Sequence, residues 1–469
     1  MTSELIIRSL REAAMTMLAA IATMLCALAI DPEPGPTVMA VVLSLVLSRS
    51  HLDLDVKGRV DAAIALPLVS LAALAVAALM HHFPWLGALA FVAGMSVSIW
   101  LRRFGPLVRR AASLIALPFV VILTTPYIPT TRASPLLALF VPVIVAELAL
   151  LWVSAVHLLG RRWGWLPPAR ARKIAAAETP NAGAMRPVAS TRMAIQMAVA
   201  LSIAFIVGFV FFAERWAWLV LTAYIVGSGN QGRLDVAYKS VLRVLGAAAG
   251  TVLALGFAFH VGSHDATTVV LILAAVFLGV WLRPLGYAWW ALFVTLALSL
   301  LQGFQGPSAQ QMLGLRVEEI VIGAIIGVAA AWFVLPVRST DVMRRRVADV
   351  LALLADAFDP ATPARESDQF FAAIERMQKV APAFRASRLL TRRYRSIQPA
   401  DWVDALLACR EPAASLIATG ETPGAVRKAI TAARKAMREP AEIQPALDDL
   451  RRVLGRQETA SAGLMAVTD

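Results

Sequence analysis

Long apolar runs separated by short polar loops fill the chain as far as Pro336. Runs of this kind predict membrane-spanning helices, since a bilayer core takes about 20 apolar residues per helix. The pattern predicts twelve spans, several of them short for a bilayer. They are 13–30, 36–48, 60–80, 83–100, 112–128, 135–159, 193–212, 214–228, 243–261, 267–282, 286–302 and 316–336.

The order of spans repeats itself along the chain. Trp-Leu-Arg at 100–102 recurs at 281–283, and Leu-Asp-Val at 54–56 recurs at 234–236. With six spans in each half, the two repeats have the same orientation, and transport sites commonly lie between such repeats. The predicted fold is therefore all-α. Its predicted parts are a first six-span repeat (1–160), a basic cytoplasmic linker (161–192), a second repeat (193–337) and a cytoplasmic helical tail (338–469).

Composition and charge agree with a membrane protein. The chain is 59% hydrophobic and only 16% charged, which is too apolar for an ordinary soluble domain. The net charge of +13 is explained by Lys and Arg gathered in alternate loops, so no nucleic-acid partner is predicted. The opposite loops carry only Arg132 and Arg215, which predicts that both termini are cytoplasmic. Two cysteines, Cys26 and Cys409, are too few for a disulfide framework or a metal site.

Charged residues around the eighth and ninth predicted spans form the first group of candidates. Arg243 opens a span, where a guanidinium either attracts a carboxylate or snorkels to the headgroups as an anchor. Asp235 and Lys239 lie one helical turn apart and are expected to pair with each other or with headgroups. Glu214 and Arg215 are interpreted as interface charges at the external mouth.

Carboxylates within or next to apolar spans form the second group. Glu147 lies in the middle of a span, and intramembrane carboxylates tend to face an interior cavity. It is predicted to exchange protons, a structural hydrogen-bonded glutamate being the alternative. Glu318 and Glu319 follow Arg316 at the start of the last span, and one of them is expected to pair with Arg316 or Arg243.

Glycines at helical spacing predict close helix contacts. Gly246, Gly250 and Gly256 lie in one predicted span, and Gly323 and Gly327 lie in the last. Small residues three to four apart let helix backbones approach closely within a bilayer. These faces predict helix packing and make a homodimer plausible.

The second half also carries a family pattern in Trp216, Trp218, Thr222 and the Arg-x-x-Gly-x-x-x-Gly-Thr motif at 243–251. The closing span matches through Arg316, Gly323, Gly327 and Pro336. On these residues the segment 192–340 resembles the fusaric acid resistance / aromatic acid exporter family of bacterial inner-membrane proteins. The resemblance implies export of aromatic or other carboxylic acids across the inner membrane, with a periplasmic adaptor protein as a partner. Plant aluminium-activated malate transporters look similar in the six-span unit, which keeps a passive anion channel as an alternative.

Other motifs carry less chemistry. Gly227–Gly232 satisfies GxGxxG, but it follows an apolar helix instead of a strand, so a flexible turn is expected there. No Walker A motif and no nucleophile–base pair occurs in the sequence, so neither an enzyme, a cofactor nor a metal is predicted. In the tail, five arginines cluster between 385 and 395. The cluster is interpreted as a solvated face or a surface for anionic headgroups, with a regulatory ligand or partner site as the alternative.

The sequence thus predicts a proton-coupled exporter of organic acids. The predicted pathway residues are Trp218, Thr222, Asp235, Lys239, Arg243 and Arg316, and the predicted proton-coupling residues are Glu147 and Glu319. A non-transporting scaffold whose tail binds a cytoplasmic partner is the alternative from another class.

Overall fold

The computed structural model describes most of the chain, and every secondary-structure element in the described residues is a helix. The described residues are 3–50, 56–104, 108, 115–116, 119–120, 122–123, 135–166, 189–213, 215–229, 231–258, 266–305, 309–359, 367–419 and 423–468. Backbone contacts divide the chain into two compact units. We call Met1–Gly229 with Lys239–Leu335 the membrane unit, and Asn230–Tyr238 with Pro336–Asp469 the tail unit.

Long apolar helices build the membrane unit. They are α1 (Ser3–Ile30), α2 (Pro34–Ser50), α3 (Val56–His82), α4 (Pro84–Leu101), α5 (Pro135–Arg162), α6 (Ala189–Phe211), α7 (Trp216–Gly227), α8 (Arg233–Ala258), α9 (Ala266–Leu282), α10 (Tyr287–Gln305) and α11 (Ala309–Phe333). In the described residues seven helices, α1, α3, α4, α5, α6, α8 and α9, are long and apolar enough to cross a membrane. Helices α2, α7 and α10 contain shorter apolar segments. This is the architecture of a multi-pass membrane protein.

The predicted spans correspond to these helices with three displaced starts. Helix α1 begins at Ser3, α8 at Arg233 and α11 at Ala309, whereas the sequence pattern predicts these starts at 13, 243 and 316. The reason is physical: charged and polar residues interrupt the apolar runs without interrupting the helices. The predicted span 112–128 lies mostly outside the described residues, so twelve spans in two repeats stay a prediction.

The two copies of the Trp-Leu-Arg motif share one local structure. Helix α4 ends at Leu101 and passes into a 3-10 turn, Arg102–Phe104. Helix α9 ends at Leu282 and passes into a 3-10 turn, Arg283–Leu285. The repeated residues therefore end two helices in the same way.

Buried apolar side chains hold the membrane unit together in several clusters. One joins α1, α2, α3 and α5 around Leu43, Leu66 and Val145. A second includes Phe91, Phe205 and Leu219, on α4, α6 and α7, and a third joins α8, α9 and α10. Many large apolar side chains on these helices are exposed, which suits a surface that faces lipid.

Short amphipathic helices build the tail unit. They are α12 (Ser339–Ala357), α13 (Ser367–Gln378), α14 (Ala381–Thr391), α15 (Pro399–Ala408), α16 (Arg410–Thr419), α17 (Gly424–Ala436) and α18 (Pro440–Thr468). Their apolar faces meet in one core that contains Phe358, Phe370, Trp402 and Leu450. Cys409 is part of this core, and burial raises the pKa of its thiol to about 12.

Candidate functional site

A glycine contact holds α11 against α7. A Cβ on Gly323 would lie 2.5 Å from the Leu219 carbonyl oxygen and 3.0 Å from Cβ of Thr222. One turn later, a Cβ on Gly327 would lie 2.9 Å from Cγ1 of Val226. Only glycine permits so close a backbone approach at Gly323. Thr222, a predicted pathway residue, is thereby fully buried at this contact.

A second glycine contact holds α8 against α10. A Cβ on Gly246 would lie 2.6 Å from the Ala288 carbonyl oxygen, and a Cβ on Gly250 would overlap the Leu292 carbonyl oxygen. At the third predicted packing glycine, Gly256, a Cβ would meet no atom of the described residues within 4 Å.

Arg316 connects three helices in the interior of the membrane unit. It lies on α11, only 2% exposed, and donates a hydrogen bond to Oγ of Ser299 on α10. Its guanidinium carbon lies 4.3 Å from the centre of the Trp218 ring on α7. A guanidinium over an indole face is a cation–π contact that strengthens when water is excluded. The geometry therefore brings two predicted pathway residues, Arg316 and Trp218, into contact.

Glu319 lies one turn beyond Arg316 and is 1% exposed. Its ion pair is with Arg215, whose Nε lies 3.4 Å from Oε1 of Glu319. Arg215, interpreted from the sequence as an interface charge, is 26% exposed and also contacts this buried carboxylate. Glu319 also lies within electrostatic reach of Arg316, and neither of its oxygens accepts a hydrogen bond from the described residues.

Arg243 is the most deeply buried cation of the group, at 1% exposure. Its Nε and Nη2 have no hydrogen-bond partner in the described part of the chain. It lies within electrostatic reach of Arg316 and of Tyr287. The snorkelling interpretation does not fit, since a snorkelling arginine keeps its head group in water.

Hydroxyl groups accompany these charges at the two glycine contacts. Thr222 lies at the contact between α7 and α11, and Thr295 lies opposite Gly250 on α10. Both are buried, as is Thr251 beside Gly250, and the hydroxyl oxygens of all three lack a partner among the described residues. Hydroxyls and guanidinium N–H groups are hydrogen-bond donors, so donors outnumber carboxylate acceptors here. Such an excess favours an anion with several acceptor oxygens.

Two predicted pathway residues, Asp235 and Lys239, make local hydrogen bonds instead. Asp235, in the tail unit, accepts a hydrogen bond of 3.1 Å from the Gln231 backbone N–H. Lys239, in the membrane unit, donates to the Gly229 carbonyl oxygen at 3.4 Å. Gly229 and Gly232 adopt φ angles of +62° and +120°, as expected for a turn at the GxGxxG sequence.

Glu147 is also separate from the arginines. It lies on α5, where its neighbours Ala146 and Ala149 are buried in the cluster of α1, α2, α3 and α5. Its Oε1 has no hydrogen-bond partner in the described residues. The structure therefore places the two predicted proton-coupling residues, Glu147 and Glu319, in different helix clusters.

Sequence reasoning missed several contributors to the site. They are Tyr287, Thr295, Ser299 and, as the ion-pair partner of Glu319, Arg215. A signal for two of them exists, because Thr295 and Ser299 are polar residues one turn apart in the otherwise apolar run ALFVTLALSLL. That spacing puts both hydroxyls on one face of α10.

Comparison with known proteins bears on this same segment. Residues 199–330 match the family model described as fusaric acid resistance protein-like. Neither the curated proteins nor the solved structures gave a significant match. The matched segment contains both glycine contacts together with Trp218, Arg243, Arg316 and Glu319. The resemblance inferred from the motifs is thus confirmed. The chain is a multi-pass membrane protein whose segment 199–330 is similar to the fusaric acid resistance protein-like family.

Proposed function

We propose that the protein is a secondary transporter that exports organic carboxylic acids, aromatic acids among them, with the proton gradient as driving force. The observation that carries this proposal is that Arg243 is buried without a full set of hydrogen-bond partners. Its guanidinium is buried beside that of Arg316, and its Nε and Nη2 have no partner in the described residues. The fusaric acid resistance protein-like segment supports a transport role.

The buried charges indicate that the substrate is negatively charged. An unpaired buried charge is costly, and leaving one uncompensated typically costs about 3–5 kcal/mol. The buried Glu319 carboxylate pairs with Arg215 and lies within reach of Arg316, whereas Nε and Nη2 of the buried Arg243 have no partner in the described residues. A substrate carboxylate would compensate the excess charge, since a guanidinium binds two carboxylate oxygens in a planar, bidentate geometry. The threonine hydroxyls at the glycine contacts would supply further donors.

Proton coupling is assigned to the buried carboxylates. Glu319 lies closest to the arginines and is therefore the first candidate to carry the proton. Glu147 is the second candidate, on the separate helix cluster of α5. In the exporter, one carboxylate takes up a proton as the anion leaves the arginines and releases it on the other side of the membrane.

Transport in everted membrane vesicles tests the proposal. The vesicles contain wild type, Arg243→Ala or Arg8→Ala, and labelled hydroxybenzoate is supplied with and without an imposed pH gradient. Arg8 is a matched control, because it is an exposed arginine on α1 whose ion pair is with Glu12. We expect gradient-dependent accumulation in wild type and Arg8→Ala and its loss in Arg243→Ala.

The other outcomes separate the alternatives. Equal flux with and without the gradient, lost in Arg243→Ala, would indicate a passive anion channel that uses the same site. Accumulation that survives in Arg243→Ala would contradict the assigned pathway. Glu319→Gln and Glu147→Gln identify the coupling residue. Substitution of the residue that carries the proton should abolish the dependence of transport on the pH gradient but leave downhill flux of the labelled acid intact.

A further inference from the structure

The arginine cluster of the tail unit divides into two groups. Arg385 donates to Asp404 at 2.7 and 3.0 Å, and Arg388 donates to Asp401 at 2.5 Å and to Asp404 at 2.8 Å. These two arginines are neutralised by carboxylates on α15. In contrast, Arg392, Arg393 and Arg395 are exposed and make no ion pair within the described residues.

Large apolar side chains are exposed at the same place. Leu389 is 84% exposed, Leu390 79% and Tyr394 86%. With Ile397 they include every exposed large hydrophobic residue among the described residues of the tail unit. The other amphipathic helices of this unit turn their apolar faces into its core. The other exposed large hydrophobic side chains of the described residues belong to the membrane unit.

A rigid turn presents these residues. The Thr391 carbonyl oxygen accepts hydrogen bonds from the N–H groups of Tyr394 and Arg395, at 2.9 and 3.0 Å. The Thr391 side chain donates to the Ser387 carbonyl oxygen at 2.9 Å and also contacts the buried Gln398. Gln398 in turn donates to the Arg395 carbonyl oxygen at 2.9 Å. These hydrogen bonds hold the backbone that carries the exposed side chains, so their exposure does not come from an unstructured segment.

We propose that this turn is a lipid-binding surface that inserts Leu389, Leu390 and Tyr394 among anionic headgroups while Arg392, Arg393 and Arg395 contact the phosphates. Apolar and aromatic tips flanked by arginines suit the interface of a bilayer, where the apolar parts leave water and the cations meet anionic lipid. Charge complementarity favours anionic lipid over a zwitterionic surface. An uncharged protein surface would leave the three unpaired guanidiniums without compensation.

Hydrogen exchange of the full chain in nanodiscs tests the proposal. Exchange is measured for backbone amides 389–397 in nanodiscs that contain phosphatidylglycerol and in nanodiscs of phosphatidylcholine alone. We expect slower exchange in the anionic nanodiscs. The triple variant Arg392→Gln/Arg393→Gln/Arg395→Gln should lose that difference, because each arginine shifts the surface-bound equilibrium by about fivefold.

A charge-matched control tests whether the lipid dependence belongs to these three arginines or to the net charge of the tail unit. Arg427→Gln/Lys428→Gln/Arg434→Gln removes three exposed cations of α17, and it should keep the lipid dependence. Unchanged exchange in the core of α15 in both variants shows that the tail unit remains folded. Equal exchange in the two lipids for the wild type would overturn the proposal. Protection that is the same in detergent and in both lipids would also overturn it, and would indicate a protein contact.

Discussion

At the scale of single residues, the site is defined by an imbalance of buried charge. Arg243 and Arg316 are buried within electrostatic reach of each other, and Arg215, at the start of α7, pairs with Glu319, the buried carboxylate beside Arg316. Trp218 and Ser299 fix the guanidinium of Arg316 from two sides. Removing Glu319, the only buried carboxylate described in this group, should therefore lower the stability of the fold more than removing an exposed carboxylate.

We expect Glu319→Gln to lower the free energy of unfolding by about 3 kcal/mol, because it leaves the buried guanidinium of Arg316 and the partly buried one of Arg215 without a carboxylate. The measurement is thermal or denaturant unfolding of the purified protein in detergent. The control is Glu12→Gln, whose partner Arg8 is exposed and whose loss should cost less than about 1 kcal/mol. Equal stability of the two variants would contradict the charge arrangement.

The same scale explains which site residues the sequence could predict. Arg243, Arg316 and Glu319 were found because a charge stands out in an apolar run. Thr295 and Ser299 were missed because single hydroxyls hardly change the hydropathy of a span. The pairing of Arg215 with Glu319 could not be predicted, because the two residues lie about a hundred positions apart in the sequence.

At the scale of helices, the two glycine contacts determine which elements meet. Gly323 and Gly327 set α11 against α7, and Gly246 and Gly250 set α8 against α10. The pattern of small residues predicts close packing at these four glycines and at Gly256 alike. Spacing alone does not show which glycine touches a neighbouring backbone, and a Cβ on Gly256 would meet no described atom within 4 Å.

Alanine at Gly323 should cost about 1–3 kcal/mol, because its Cβ would press on the backbone oxygen of Leu219, which cannot rotate away. Alanine at Gly256 meets open space and should be neutral or stabilising by up to about 1 kcal/mol, as expected for glycine replaced within a helix. Thermal unfolding in detergent compares the two. Similar losses for both variants would mean that the close approach of α7 and α11 does not exist.

The ion pairs between α14 and α15 make the tail unit sensitive to acid. Partial burial would raise the pKa of Asp404, but hydrogen bonds from Arg385 and Arg388 outweigh it and hold that pKa below its usual range. A carboxyl whose pKa is lower in the folded state stabilises the fold above its unfolded pKa, about 4, and loses that effect as the pH falls through the folded value.

We therefore expect the tail unit to unfold at lower urea concentration as the pH falls below about 4, and Asp404→Asn to weaken this dependence. Buried Cys409 reports the unfolding in a Cys26→Ala background, because its thiol reacts with dithiodipyridine only after the core opens. The same pH dependence in wild type and Asp404→Asn would show that another carboxylate is responsible.

At the scale of the whole molecule, the apolar runs predicted the helical membrane architecture well. Eleven of the predicted spans coincide with α1–α11, and the change of character after Pro336 coincides with the boundary of the tail unit at Leu335–Pro336. Orientation, the number of spans and the two-fold repeat stay predictions from loop charge and sequence recurrence. The homodimer stays a prediction too, although Gly246, Gly250, Gly323 and Gly327 contact helices of the same chain and so do not supply its interface.

The central claim is that the buried arginines bind a carboxylate. Ligand-induced stabilisation of the purified full chain tests this most directly, with hydroxybenzoate and its uncharged methyl ester as probes of the wild type, Arg243→Ala and Arg8→Ala. We predict that the acid raises the unfolding temperature of wild type and Arg8→Ala, that the ester does not, and that Arg243→Ala loses the response. A response to the acid that is as large in Arg243→Ala as in the wild type would contradict the account.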